Sequence, residues 1–290
     1  MKAPVSWKIA GGRLLGPAPF FVVGIVNCTP DSFYDGGNFL DAEAAVAHSL
    51  DLLQQDADIV DIGGESTRPF SSRVQADQER DRVLPVLRGV LSHAPQAVVS
   101  VDTYRAEVAA AALQAGATIV NDVSACSFDP DLKQVLADYQ PGYVLMHSKG
   151  RPEDMQKDPS YEDVVGEVFS FFETAMDQLV QAGVPEESIV LDPGIGFGKL
   201  LKHNLQLLAN IEEFYALGRP VFMGLSNKSM WGKLLGVAAH ERQTPTQVAT
   251  ALMAERGVDI HRVHEVADTV RTLRIVKAIY EHSRGEENDG

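Results

Sequence analysis

Polar side chains that could bind or activate a small molecule recur at the ends of short apolar runs, and this spacing is the most informative feature of the sequence. Each of the eight runs is five to seven residues long, most are rich in Val and Ile, and each stops at Asn, Asp, Thr, Ser, His or Gly. The runs are Phe21–Asn27, Asp58–Gly64, Ala97–Thr103, Ala117–Asp122, Tyr143–His147, Ile189–Gly194, Val221–Ser226 and Val258–His264. Such runs are typical of buried parallel strands.

Helical segments separate these runs. They are Ala42–Gln55, Asp77–Ser92, Ala106–Ala115, Asp129–Asp138, Tyr161–Ala182, Asn204–Leu217, Pro245–Arg256 and Val266–His282. Strands that alternate in this way with helices predict an α/β fold, a single (β/α)8 TIM barrel domain over residues 1–290.

The two ends of the chain have their own patterns. Gly11 and Gly12 lie between two short apolar stretches in Ser6–Gly16 and predict an N-terminal β-hairpin that closes the bottom of the barrel. Asp41 is expected to cap the first helix. The polar residues 283–290 are expected to form a disordered tail.

The predicted fold brings the polar ends of the strands together. In TIM barrels the side chains at the carboxyl ends of the strands meet at one rim, where the active site lies. The residues that this rule predicts to converge are Asn27, Asp102, Asn121, His147, Asp192, Lys228, Arg262 and His264.

Composition excludes several classes of partner. The chain has 290 residues and a net charge of −15, whereas nucleic acids and anionic membranes attract basic proteins. Its two cysteines, Cys28 and Cys126, form no zinc motif or disulfide framework. The sequence shows neither a signal-peptide apolar region nor an apolar run long enough to span a bilayer. We therefore expect a soluble cytoplasmic protein with no nucleic-acid or membrane partner.

Two connections are unusually long and rich in Gly and Pro, namely Cys28–Asn38 and Glu65–Val74. The first contains Asp31 and Asp35 and could be either a mobile lid or a solvated surface loop. The second combines the Thr67 hydroxyl and the Arg68 guanidinium with exposed backbone N–H groups, a set that suits phosphate or another oxyanion.

The last two strands add cationic groups. Lys228 follows the seventh run, and Arg262 and His264 lie on the same face of the eighth by the period-two rule. Loops after these strands commonly bind phosphate in TIM barrels. For Arg262 alone, a salt bridge to a helix is an equally good interpretation.

The opposite side of the rim has a different character. Asp102, Asn121 and Asp192 end apolar strands, where a carboxylate or amide without a partner would be costly to bury. A ring with adjacent N–H and amino donors and ring-nitrogen and carbonyl acceptors, such as a pterin, would satisfy them. The alternative is that the two carboxylates bind backbone N–H groups or an internal Arg. Met146 could cover the face of such a ring or simply belong to the core.

The glycine-rich segment Asp192–Lys199 is not a nucleotide-binding loop. Leu200 stands where a P-loop has Ser or Thr, and the glycine spacing is not that of a dinucleotide fingerprint. We expect its glycines to let the backbone approach a flat ligand, with Phe197 nearby.

Eight segments together resemble the dihydropteroate synthase family over essentially the whole chain. They are GIVNCTPDSFYDGG, DIGGESTRP, SVDT, IVNDVSA, LMH, LDPGIGFGK, SNKS and RVH, in that family's order and spacing. The resemblance implies a homodimeric transferase of a pterinylmethyl group, a sulfonamide target that joins 6-hydroxymethyl-7,8-dihydropterin diphosphate to p-aminobenzoate in folate biosynthesis.

The resemblance also implies a role for each matching residue. Dihydropterin would contact Asp102, Asn121, Met146, Asp192 and Lys228. Diphosphate, with Mg²⁺ as cofactor at Asn27, would contact Asn27, Thr67, Arg262 and His264. The p-aminobenzoate would contact Arg68, Pro69, Phe197 and Ser229. The catalytic candidates are Asp31, Asp35, Asp102 and Lys228, whose expected task is to stabilise the pterin cation left by diphosphate departure.

Two departures from the family pattern are Cys28, where Val is usual, and Asn227, where Arg is usual. Asn227 leaves open how strongly the p-aminobenzoate carboxylate is bound. Two alternatives also remain, a methyltetrahydrofolate–corrinoid methyltransferase and a pterin-binding paralogue without catalytic activity. The first would have no use for cations that bind diphosphate.

Overall fold

A computed structural model describes residues 4–28, 37–66, 73–151 and 153–285, with the backbone alone for 37–41 and 283–285. The strands are β1 (Val5–Lys8), β2 (Leu14–Ala18), β3 (Phe21–Asn27), β4 (Ile59–Gly63), β5 (Val98–Asp102), β6 (Ile119–Asp122), β7 (Gly142–Met146), β8 (Ile189–Asp192), β9 (Phe222–Met223) and β10 (Ile260–Val263). The α-helices are α1 (Gly37–Gln54), α2 (Ala76–His93), α3 (Ala106–Gln114), α4 (Leu132–Tyr139), α5 (Val164–Gln181), α6 (Leu201–Ala209), α7 (Ser229–Leu235), α8 (Gln243–Glu255) and α9 (Val266–Gly285).

Strands β3 to β10 form a parallel barrel, as predicted. From β3 to β8 each strand pairs with the next one along the chain, and β10 lies between β3 and β9. A bridge between Leu191 and Val221, with a hydrogen bond of 2.9 Å from the Leu191 N–H to the Pro220 carbonyl, joins β8 to the start of β9 and closes the ring. No helix in the described part of the chain is long and apolar enough to cross a membrane.

The predicted hairpin is present and closes the bottom of the barrel. Trp7 on β1 is 1% exposed and lies in one apolar cluster with Phe21, Ile59 and Val98, which start or nearly start their strands. Its indole N–H donates to the Ser188 carbonyl at 2.6 Å. The amino ends of the strands are therefore sealed by apolar packing, and the carboxyl ends are left as the open rim.

Some element boundaries differ from the predictions. Strand β9 has two residues instead of six, and beyond it the Leu225 carbonyl accepts from the Trp231 indole N–H at 3.0 Å. The predicted helix Asn204–Leu217 is two elements, α6 and a 3-10 helix over Ile211–Leu217. At their junction the Asn210 side chain donates to the Gln206 carbonyl and so competes with the helix backbone.

Two predictions at helix ends were wrong, and one helix was missed. Asp41 does not cap α1, because the helix already begins at Gly37. Helix α9 continues to Gly285, so the first three residues of the expected disordered tail are helical. The other five, 286–290, lie outside the described residues. The short helix α7 has no counterpart among the predicted segments.

Candidate active site

Four strands bring a compact group of charged and amide side chains to the rim. Arg262 on β10 donates from Nε to Asp61 Oδ2 at 2.6 Å and from Nη2 to Asp102 Oδ2 at 2.7 Å. Asn121 on β6 donates to the same Asp61 oxygen at 2.9 Å. The Asp61 carboxylate therefore joins Asn121 to Arg262, and the Arg262 guanidinium joins both to Asp102, so that three of the predicted rim residues belong to one group.

That carboxylate, Asp61, was not predicted. It lies in the middle of β4 and is fully buried, and its Oδ1 has no hydrogen-bond partner among the described residues. A carboxylate inside an apolar strand is expensive to bury without a function or a partner, and this signal in the run Asp58–Gly64 could have revealed it. The residue therefore brings a buried acceptor to the centre of the group.

The expected division of the rim into a cationic side and a carboxylate side was wrong. Arg262 on β10 reaches past the neighbouring β3 and pairs with carboxylates from β4 and β5 rather than with a helix. An unpaired guanidinium and two unpaired carboxylates at this depth would each carry a large desolvation cost, so opposite charges pair across the rim. The alternative interpretation of Asp102, an internal Arg as partner, is confirmed.

Burial changes the acid–base properties of these groups. It raises the pKa of Asp102, an effect that Arg262 partly opposes and that the nearby carboxylates of Asp61, Glu79 and Asp122 reinforce. Burial also raises the pKa of Asp192, and a hydrogen bond of 2.7 Å from the Gly194 N–H to Oδ1 opposes that rise.

Lys228 and Phe197 form a second part of the rim. The Lys228 ammonium lies 4.4 Å from the Phe197 ring centroid, a cation–π distance. Burial lowers the pKa of Lys228 to about 8, against the opposing effect of Asp192. Phe197 also packs against a small apolar cluster that contains Tyr104 and the buried Met146. This combination gives a flat, apolar wall beside charged groups.

His264 contacts Ser226, which was not predicted as a site residue. Ser226 Oγ lies 2.8 Å from His264 Nδ1 and accepts the His264 backbone N–H at 3.2 Å. Ser229 is the first residue of α7, directly after Lys228. Between these positions Asn227 has a positive φ of 56°, a conformation that Asn tolerates better than most residues.

His147 belongs to a different cluster from the one predicted. Its Nδ1 lies 2.8 Å from the buried ammonium of Lys199, and its ring packs edge-on against Phe171 of α5. His147 and Lys199 are 52 positions apart in the sequence, so strand periodicity could not predict their contact. Lys199 is a second residue that sequence reasoning missed.

The glycines of 192–199 serve a different purpose from the expected one. A Cβ at Gly194 would lie 1.9 Å from the His147 carbonyl oxygen, and one at Gly198 would lie 2.2 Å from that of Lys149. Two of the three glycines thus allow contact with the protein's own backbone. The added Cβ of the third, Gly196, would meet the side chain of Lys228 at 3.5 Å.

Several predicted site residues lie outside the described residues, namely Asp31, Asp35, Thr67, Arg68 and Pro69. Asn27 is described and ends β3, where it is paired with Gly63, which in turn pairs with Asp102 on β5. Within the described ranges no three His, Cys, Asp or Glu side chains come together as a metal site.

A closed (β/α)8 barrel with paired, buried charges at its rim has the architecture of an enzyme that binds a small polar molecule. Residues 23–264 match the family model of pterin binding enzymes. Dihydropteroate synthase of Escherichia coli (strain K12) is 40% identical over 257 residues, which cover 89% of this chain and 90% of that protein.

Solved structures agree in fold. Yersinia pestis dihydropteroate synthase in complex with a sulfonamide drug has a TM-score of 0.89 and 37% identity, covering 96% of this chain and 100% of that one. Xanthomonas albilineans dihydropteroate synthase with 4-aminobenzoic acid has a TM-score of 0.88 and 41% identity, covering 94% and 98%. The chain belongs to the pterin-binding enzymes and, among them, to the dihydropteroate synthase family. The resemblance noted in the sequence is thereby confirmed.

Proposed function

We propose that this protein is a transferase that joins 6-hydroxymethyl-7,8-dihydropterin diphosphate to p-aminobenzoate and releases 7,8-dihydropteroate and diphosphate. The observation that carries this proposal is the group of Asp61, Asp102, Asn121 and Arg262 at the rim, in a chain that matches dihydropteroate synthase over nine-tenths of its length. Neither the methyltransferase nor the paralogue is favoured, because the relatives and structural neighbours are dihydropteroate synthases.

The pterin ring suits the groups on the central strands. Its amino group and adjacent ring N–H are donors for a carboxylate, and we assign this contact to Asp192, whose Oδ1 already accepts from Gly194 and whose Oδ2 can accept from the ring. Asn121 and Asp102 would bind other edges of the ring. Met146 would cover one face, beside Lys228.

The diphosphate is assigned to the cationic groups. Arg262 offers a planar set of donors, and we propose that it shares them between Asp61, Asp102 and the leaving diphosphate, while His264 and Thr67 supply further hydrogen bonds. Charge that develops on the leaving group would be stabilised by groups already fixed in place.

We propose Mg²⁺ as the cofactor, with the amide oxygen of Asn27 as its protein ligand. Mg²⁺ commonly binds through one or two protein oxygens together with substrate phosphate oxygens, so a single amide at the end of β3 fits that donor set. When bound, the ion would neutralise diphosphate charge.

The p-aminobenzoate would lie against Phe197, near Ser229, Arg68 and Pro69, and a sulfonamide would compete for the same surface. Departure of diphosphate before attack is plausible because the electron-rich dihydropterin delocalises a cation, which Asp31, Asp35 and Asp102 would stabilise. Lys228 would hold the ring during this step. An arylamine is already unprotonated near neutral pH, so the scheme needs no strong general base.

We further propose a cytoplasmic homodimer. Helices α8 and α9 pack together and expose Val248, Leu252, Ile275 and Ile279, an apolar surface that a second copy of the chain would cover. Cys28 and Cys126 are free thiols, which suits a reducing compartment. We expect Ile275→Glu to convert the dimer to monomer in sedimentation equilibrium, whereas a wild-type monomer would contradict the assembly.

The decisive test is diphosphate release from the dihydropterin diphosphate, measured with and without p-aminobenzoate and Mg²⁺, with dihydropteroate followed in parallel. We expect diphosphate and dihydropteroate to form in equal amounts, and only when p-aminobenzoate and Mg²⁺ are both present. Tight pterin binding without turnover would instead identify a non-catalytic paralogue.

A further inference from the structure

A buried ammonium group lies behind the candidate active site. Lys199 is 2% exposed, and its Nζ lies 2.8 Å from His147 Nδ1, 3.2 Å from the His147 carbonyl oxygen, and 3.1 Å from those of both Gly194 and Phe197. Three N–H donors thus face four acceptors from two different segments of the chain. Because these contacts surround Nζ with protein groups, we place Lys199 outside the set of groups that contact substrate.

The segment that Lys199 closes is the loop Asp192–Lys199, from the end of β8 to the start of α6. Other polar groups also bind its backbone. Asn204 Oδ1 accepts the Gly196 N–H at 2.7 Å, Gln156 donates to the Gly196 carbonyl at 2.6 Å, and Tyr161 donates to the Gly198 carbonyl at 2.9 Å. Lys199 is the member of this set that ties the loop to the residue after β7.

Phe197 belongs to this loop, and its ring lies next to Lys228. The Phe197 carbonyl accepts from Lys199, and the Phe197 ring lies under the Lys228 ammonium and packs with Met146 of β7. The position of this ring relative to β7 therefore depends on the ammonium that joins the loop to His147. By contrast, Asp102 and Asn121 lie on β5 and β6, outside the loop, whereas Asp192 ends β8 and its Oδ1 accepts from the Gly194 N–H.

We propose that Lys199 is a positioning residue for p-aminobenzoate: its ammonium fastens the loop Asp192–Lys199 to His147 and so fixes the Phe197 ring against which the second substrate lies. This rests on the proposed function. A buried amino group of this kind is costly unless its hydrogen bonds are made, and here they are made to three carbonyl oxygens, of which that of Gly194 also accepts from the Phe197 N–H at 3.0 Å. An apolar side chain would fill the space but not fasten the loop.

The test compares Lys199→Met, which keeps an unbranched side chain one atom shorter and removes its donors, with Lys202→Met on the exposed side of α6. Because misplacement of a positioned group by about 1 Å can cost about a hundredfold, we expect Lys199→Met to raise the KM for p-aminobenzoate by tenfold or more. The kcat and the dissociation constant of free pterin should change by less than about threefold, since Asp102 and Asn121 lie on strands and Lys228 directly precedes α7, all outside the loop. Lys202→Met should behave as wild type.

Each outcome decides the inference. A folded Lys199→Met protein with an unchanged KM for p-aminobenzoate overturns it, and so does a parallel loss of kcat and of both affinities, which would indicate general loosening. If Lys199→Met does not fold, His147→Leu replaces it, because this change removes one acceptor and leaves the three carbonyl oxygens. The same KM criterion then applies. If wild type and Lys202→Met fail to release diphosphate, the proposed function fails instead, and p-aminobenzoate binding measured by calorimetry on the same variants still tests the inference.

Discussion

The two ends of the barrel are built from the same strands but differ in what they bury, apolar side chains at the amino ends and ion pairs at the carboxyl ends. At the amino ends, Trp7 and the first residues of the strands form an apolar cluster in which one indole hydrogen bond is the main polar contact described above. At the carboxyl ends, the buried carboxylates of Asp61 and Asp102 are paired with the half-buried guanidinium of Arg262. Apolar burial stabilises the fold directly, whereas buried ion pairs contribute little net stability and are kept where a function needs them. Changes at the lower end should therefore affect stability alone, whereas changes that break a pair at the rim should affect activity as well as stability.

The largest expected effect comes from Arg262→Ala, which removes the partner of two buried carboxylates. We expect turnover to fall about a hundredfold or more, because charge on the leaving diphosphate loses a fixed donor. The free energy of unfolding should fall by about 3–5 kcal/mol, the usual cost of breaking a buried pair. Steady-state kinetics and denaturant unfolding measure the two effects.

Arg262→Lys is the matched control, because it keeps the positive charge but removes the planar set of donors. It should recover part of the stability but little of the turnover, because Lys cannot bind Asp61, Asp102 and a phosphate at once. An Arg262→Ala enzyme with turnover within threefold of wild type would contradict the role assigned to the rim.

Trp7→Ala tests the other half of the comparison. Loss of a buried indole from the lower cluster should cost about 3–5 kcal/mol of unfolding free energy. At a temperature where the variant is folded, kcat and both KM values should equal those of wild type, because the indole lies at the opposite end of the barrel from the rim. A change in KM for either substrate would show that the two ends are coupled.

The contrast between the ends also explains what the sequence could and could not predict. Apolar runs with polar ends identified the eight strands, and the rule that carboxyl ends converge placed Asp102, Asn121 and Arg262 together. It could not say that Arg262 would reach past β3 to Asp61 on β4, since a pairing between strands that are not neighbours depends on side-chain length and burial rather than on strand order. The Lys199–His147 contact was invisible for the same reason: it joins two loops whose separation in space is set by the closed ring.

The next effect in size, about tenfold per pH unit, is the expected dependence of kcat/KM on the charge of Lys228. Burial lowers the pKa of Lys228 to about 8, while Asp192 and Asp102 favour its charged form and Arg262 disfavours it. Raising the pH through 8 removes the proton, so kcat/KM for the pterin substrate should fall about tenfold per pH unit above that value. Lys228→Arg should lose this alkaline limb, because a guanidinium stays charged. A wild-type profile that is flat to pH 10 would exclude an essential Lys228 ammonium.

The smallest expected effect belongs to Asn227→Arg, which restores the residue usual in the family. The hydrogen bonds described for Asn227 are made by its backbone, from its N–H to Thr246 Oγ1 at 3.2 Å and from Arg242 to its carbonyl at 3.3 Å. An Arg at a φ of 56° should cost about 1 kcal/mol of stability relative to Asn. Its added charge should lower the KM for p-aminobenzoate by no more than about threefold, since exposed charges are screened. A tenfold fall in that KM would instead mean that the rim's affinity for the carboxylate is limited by Asn227 and not by the placement of Phe197.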